Sequence, residues 1–127
     1  MDRNKRDISL FKKIEKFCEE IDETHKNFGN TLNNFNENKD YFKSVTMSLL
    51  QIGELANHLS KEFKEKYNDI PYSLIVGLRN IVAHGYGSLD QKNVWDISQE
   101  YVPLLQARCH EILSEIKPVN QISFQSC

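Results

Sequence analysis

Three features of the sequence predict an all-α, antiparallel up-and-down helical bundle. Apolar residues recur at three- and four-residue steps along most of the chain, and no segment sustains the period-two alternation of a strand. With 127 residues, 39% of them hydrophobic, there is material for one packed core and too little for two. Four main helices are expected, with room for a short fifth.

The first helix is placed at about residues 5 to 26, because Ile8, Phe11, Ile14, Phe17, Cys18 and Ile21 form one stripe. From Asn27 to Asn38, asparagines and few apolar anchors predict a loop, with at most one helical turn around Leu32 and Phe35. Helical spacing returns with Tyr41, Val45, Leu49, Ile52, Leu55, Ala56, Leu59 and Phe63, so a long second helix is expected from about 39 to 66. Its charged tail mixes both signs at i,i+3 and i,i+4 spacing, as a solvated helix end does. Pro71 suits the first turn of a third helix, about 71 to 84, which carries Leu74, Leu78, Ile81 and Val82 on one side. Gly85 is a natural C-cap for it, and Ser88 or Asp90 can open the next helix. The last helix, about 91 to 116, contains Pro103, which predicts an interruption near 99 to 102. Residues 1–117 are expected to form the single domain and 118–127 a loose tail.

A net charge of −2 offers no global attraction for nucleic acid, so an RNA-directed role needs a local basic surface or a cleft built by two subunits. Cys18, Cys109 and Cys127 are widely spaced and suggest neither a disulfide framework nor a zinc site; the first two are read as small core residues. Neither a secretory signal nor a membrane span is evident, which makes the cytoplasm the expected compartment.

The densest chemistry lies in Arg79-Asn80-Ile81-Val82-Ala83-His84-Gly85-Tyr86. A guanidinium offers a forked, permanently charged donor set for phosphate oxygens, and an imidazole trades protons near neutral pH. On a helix Asn80 and His84 stack on one face, whereas Arg79 and His84 diverge by about 140°. The two converge only if the arginine wraps round, the helix unwinds near Gly85, or a second subunit closes the site. Each side chain also has a plain alternative: His84 can cap a helix end, Arg79 can be a solvated flank residue and Tyr86 can pack the following loop.

The motif Arg79-Asn80-x-x-x-His84-x-Tyr86 resembles the signature of HEPN domains, and among them the HepT toxins paired with minimal nucleotidyltransferase antitoxins. Ile52-Gly53-Glu54, Leu59-Ser60-Lys61-Glu62-Phe63, Ile70-Pro71-Tyr72 and Ile75-Val76-Gly77-Leu78 follow the same family in order, as do Val94-Trp95 and Pro103-Leu104. The likeness spans about residues 5 to 116; Tyr72 stands where the family more often has tryptophan. It implies an endoribonuclease that needs no metal or other cofactor and acts as a homodimer, with two R-x4-H motifs lining one cleft. His84 would exchange the proton, Arg79 would hold the phosphate, and Asn80 would orient one or the other. Tyr86 would be the residue adenylylated by the nucleotidyltransferase partner. The alternatives are a non-catalytic helical module that binds a nucleotidyltransferase or a nucleotide, and a purely structural bundle.

Other residues carry less. Glu54 and His58 stand four apart on the second helix, but two ligands are too few for a protein-only zinc site. His25 and His110 are expected at the surface. Trp95 and the aromatics at 41, 42 and 63 are read as core or dimer contacts rather than a base-stacking platform.

Overall fold

The first helix is built on a seam of six residues at alternating four- and three-residue steps: Asp7, Phe11, Ile14, Cys18, Ile21 and His25, all buried. This helix, α1 (Arg3–Asn27), opens the computed structural model, which describes residues 3–77 and 91–125, with side chains from Asn4 to Gly77 and from Gln91 to Ile116. Gly29 and Asn30, both at positive φ (92° and 52°), then turn the chain into α2 (Leu32–Glu37), the short turn expected there. Thr31 caps α2 by accepting from the Asn34 N–H at 3.1 Å, and Asn38 caps α3 (Lys39–Asn57) by accepting from Asp40 and Tyr41.

Polar contacts fix the directions. Asp7 meets Ser60 just beyond the end of α3, and Thr24 meets Ser44 near its start, so α1 and α3 are antiparallel. The final helix, α7 (Val102–Gln125), also packs against α1 and runs the other way: His25 meets Ser98 just before it, and Glu15 meets His110 further along. Cys18 and Cys109, both free and buried, lie in this α1–α7 contact as the core residues they were expected to be. Burial pushes the Cys18 thiol up to about 12. Cys127 lies outside the described residues.

The single helix expected over 39–66 is two. After Asn57 the chain turns through His58, Leu59 and Ser60 and restarts as α4 (Lys61–Lys66). The cause is the buried Asp7 carboxylate. It accepts from the Ser60 N–H at 2.8 Å and the Ser60 O–H at 2.5 Å. In an unbroken helix that N–H would be spent on the Ala56 carbonyl. Ser60 Oγ meanwhile accepts from the Phe63 N–H at 3.1 Å, capping α4 and bringing Phe63 to 5.1 Å from the Phe11 ring.

Residues 72–77 form α5, and Gln91–Asp96 form α6. The interruption expected from Pro103 is a π-helical segment, Ile97–Tyr101, leading directly into α7. There the Val102 N–H reaches back to the Ile97 carbonyl, since Pro103 has no N–H to continue an ordinary turn. The helical backbone of α7 runs to Gln125, past the point where a loose tail was expected. Trp95 packs within the aromatic core, 5.3 Å from Phe35 and 5.2 Å from His25, with Tyr41 beside it and Phe42 on the Phe35 ring.

Candidate active site and its frame

Arg79, Asn80, His84 and Tyr86 lie outside the described residues, as do Gly85, Ser88 and Asp90. The structure describes the frame from which that segment leaves and to which it returns. On the leaving side, Tyr67 to Gly77 are tied down at three points. The Tyr72 O–H donates to the Tyr67 carbonyl at 2.8 Å. Pro71 heads α5, its carbonyl accepting from the Ile75 N–H at 3.2 Å. Arg108 of α7 forks onto Asp69, Nε to Oδ2 at 2.6 Å and Nη2 to Oδ1 at 3.2 Å. That guanidinium holds the Asp69 carboxyl below its usual range. Burial pushes the Tyr72 phenol well above its usual range, so its hydroxyl stays a donor.

Ile75 is the buried anchor of α5, over Leu49 and Ile52 of α3 and Leu105 of α7. Beside it, Leu74, Tyr101 and Leu104 stay exposed, Leu104 at 70%. Tyr101, Leu104 and Leu105 help line an open groove of about 460 Å³ between α7 and the start of α5.

On the returning side, α6 is fixed by the buried Val94 and by Trp95. Here the structure corrects the expectation for His25. This residue is buried, not superficial, with Nδ1 bonded to the Tyr41 hydroxyl and Nε2 3.0 Å from Ser98 Oγ. Ser98 donates its own proton to the Trp95 carbonyl at 2.8 Å, so its Oγ accepts from the Nε2–H of His25. Desolvation lowers the pKa of His25 below 6.5, against a smaller opposite effect of Asp22. His110 is exposed, as expected, 3.4 Å from Glu15. Glu54 is half-buried on α3 and His58 is exposed at its C-terminal end. Among the described residues no three His, Cys, Asp or Glu side chains gather to hold a metal ion.

Both sides of the segment from 78 to 90 are packed, hydrogen-bonded elements. Residues 13–112 match the family described as Ribonuclease HepT-like. The chain belongs to the HepT-like ribonuclease family. The matched stretch contains Arg79, Asn80, His84 and Tyr86. Its relatives include "Putative RNase MJ1380" of Methanocaldococcus jannaschii, 36% identical over 74 residues, 58% of this chain and 68% of that protein. "Putative RNase TTE0752" of Caldanaerobacter subterraneus subsp. tengcongensis is 32% identical over 75 residues, 59% of this chain and 67% of that protein. "Putative RNase MJ1216" of M. jannaschii is 29% identical over 114 residues, covering 89% and 93% of the two chains. No solved structure matches the chain.

Residues that sequence reasoning passed over belong to the frame. Asp7 and His25 continue the four–three register of the α1 seam at its two ends, and that register was the signal for their burial. The fork of Arg108 on Asp69 joins residues 39 apart and leaves no local signal.

Proposed function

We propose that this HepT-like chain is the toxin of a toxin–antitoxin pair, a metal-independent endoribonuclease that acts in the cytoplasm as a homodimer. The observation that carries this reading is the family match over residues 13–112, within which Arg79, Asn80, His84 and Tyr86 keep the R-x4-H-x-Y spacing. The working domain is residues 1–117. In the proposed reaction an RNA 2′-hydroxyl attacks the adjacent phosphorus as His84 takes its proton. The bond to the 5′-oxygen breaks, and His84 of the partner subunit protonates that leaving oxygen. Arg79 binds the phosphate and stabilises the extra charge of the transition state, while Asn80 orients the imidazole or the phosphate. The exposed Leu74, Tyr101 and Leu104 support a subunit contact. A minimal nucleotidyltransferase partner silences the toxin by adenylylating Tyr86, since the added phosphate brings negative charge to the place where RNA phosphate binds.

The test is cleavage of total RNA in excess EDTA by the purified, unmodified chain, with His84→Ala alongside and its helicity checked. Wild-type cleavage lowered at least about 100-fold in the variant is expected for loss of a proton-transfer group. Equal cleavage by both proteins removes His84 from the mechanism. Silence of a wild type with Tyr86 free of modification removes the enzyme and leaves a binding module.

A further inference from the structure

The chain is acidic overall, yet the solvent face of α1 is divided by charge. Lys5, Arg6, Lys12, Lys13 and Lys16 are all exposed on its first half; Glu19, Glu20, Asp22 and Glu23 are exposed on its second. At about 100° per residue the five cations fall within roughly 120° of one another, opposite the buried seam. They extend along about 16 Å of helix. Among the described residues none of the five is in an ion pair, a state they share with the exposed Lys39, Lys43, Lys61 and Lys66; what sets them apart is that all five gather on one face of one helix. The first two also work against the helix that bears them, because Lys5 and Arg6 near the N-terminus oppose the macrodipole and no acidic residue stands in the first turn. Neither core packing nor helix stability accounts for this face.

We propose that the unpaired basic face formed by Lys5, Arg6, Lys12, Lys13 and Lys16 on α1 is a docking track for the phosphodiester backbone of single-stranded RNA, outside the Arg79–His84 motif. It rests on the ribonuclease reading and supplies the local basic surface that a chain of net charge −2 needs in order to hold a polyanion. The track reads no sequence, since lysine and arginine on a helix face meet phosphates as charges and leave base edges untouched. A second copy of the chain fits the face less well, because the centre of a stable protein interface is depleted of charge.

The test is a salt titration of binding to a fluorescent, 2′-O-methylated oligoribonucleotide, which cannot be cleaved. The intact wild-type chain is compared with Lys5→Gln/Lys12→Gln/Lys16→Gln and with a control, Lys26→Gln/Lys39→Gln/Lys92→Gln, which removes equal charge elsewhere. The track predicts that the slope of log affinity against log salt shrinks by about 2 in the first variant, with equal weakening for oligomers of different sequence. The control should keep the wild-type slope, and Lys5→Arg/Lys12→Arg/Lys16→Arg should restore it. Equal loss in the first variant and the control overturns the proposal, as does loss in neither. A variant that binds RNA normally but changes its sedimentation from dimer to monomer also overturns it, and assigns the face to a second copy. RNA cleavage, followed separately, keeps the two readings distinct. A wild type that binds through α1 without cleaving sinks the enzyme alone; one that cleaves through His84 with binding indifferent to α1 sinks the track alone.

Discussion

His25 and Asp7 close the two ends of the α1 seam, and each stays buried because its polar atoms are answered. The carboxylate of Asp7 has the Ser60 N–H and O–H, and the imidazole of His25 has Tyr41 and Ser98. A buried polar group left without partners costs about 1–3 kcal/mol, so these pairings set the register of α1 against α3 and α7 as firmly as the apolar residues between them. In the sequence the apolar middle of the seam is plain; its register extends to Asp7 and His25, but the partners that let a carboxylate and an imidazole stay buried there lie far along the chain and leave no local sign. The depressed pKa of His25 has a consequence in solution. Its folded pKa lies below the 6.5 of an exposed histidine, chiefly through desolvation, so the unfolded chain binds the proton more readily. The contribution is complete above pH 6.5 and is lost as pH falls through the folded value. The Tyr41 hydroxyl, pushed up to about 12, stays protonated throughout that window. The midpoint of urea unfolding should therefore fall from pH 7 to pH 5, with a contribution from His25 of at most about 1.4 kcal/mol per pH unit. The steepness should be smaller in His25→Phe; an identical pH profile in the two proteins would show that His25 folds with its charge.

Between residues and the whole stand the two places where regular helix gives way, and they differ in how openly the sequence announces them. Pro103 is a visible breaker, and the interruption falls just ahead of it, over Ile97–Tyr101. The break after Asn57 is hidden, because apolar spacing continues across it through Leu59 and Phe63, both buried. What stops the helix there is the contact of Ser60 with Asp7, 53 residues away, which periodicity cannot contain. The motif segment shows the reverse relation: its residues are plain in the sequence, while the frame that delivers it, the Arg108 fork and the Tyr72 anchor, is not. The π segment also sets the rotation of α7. Within it Ser98 is aimed at His25, and beyond it Leu105, Cys109 and Ile112 are buried. Deleting Glu100, an exposed residue inside the segment, would turn α7 by about 100° relative to α6 and carry that apolar row off the core. The deletion should abolish cooperative thermal unfolding, whereas Glu100→Ala should stay within about 0.5 kcal/mol of wild type. A deletion variant melting close to wild type would mean that the extra residue is absorbed locally and sets no register.

At the scale of the whole molecule, the decisive count is of groups able to exchange a proton near neutral pH. The chain has four histidines. His25 is walled in, with both ring nitrogens committed to Tyr41 and Ser98. His58 ends α3, and His110 stands exposed on α7 opposite Glu15. That leaves His84 as the motif's own imidazole, whereas the proposed reaction needs a base for the 2′-hydroxyl and an acid for the 5′-oxygen. If one cleft uses His84 from each of two subunits, activity depends on pairs of intact chains. Subunits of wild type and His84→Gln, mixed and allowed to exchange, should show activity that falls as the square of the wild-type fraction, so an equal mixture keeps about a quarter of the original rate per total protein. A linear fall, with about half the rate retained at equal mixing, would place acid and base within one subunit and require a second proton-transfer group besides His84 in that subunit. Mixing tests the assembly more sharply than a monomerising mutation does, because every chain in the mixture keeps its surface and its core and only the pairing of imidazoles changes.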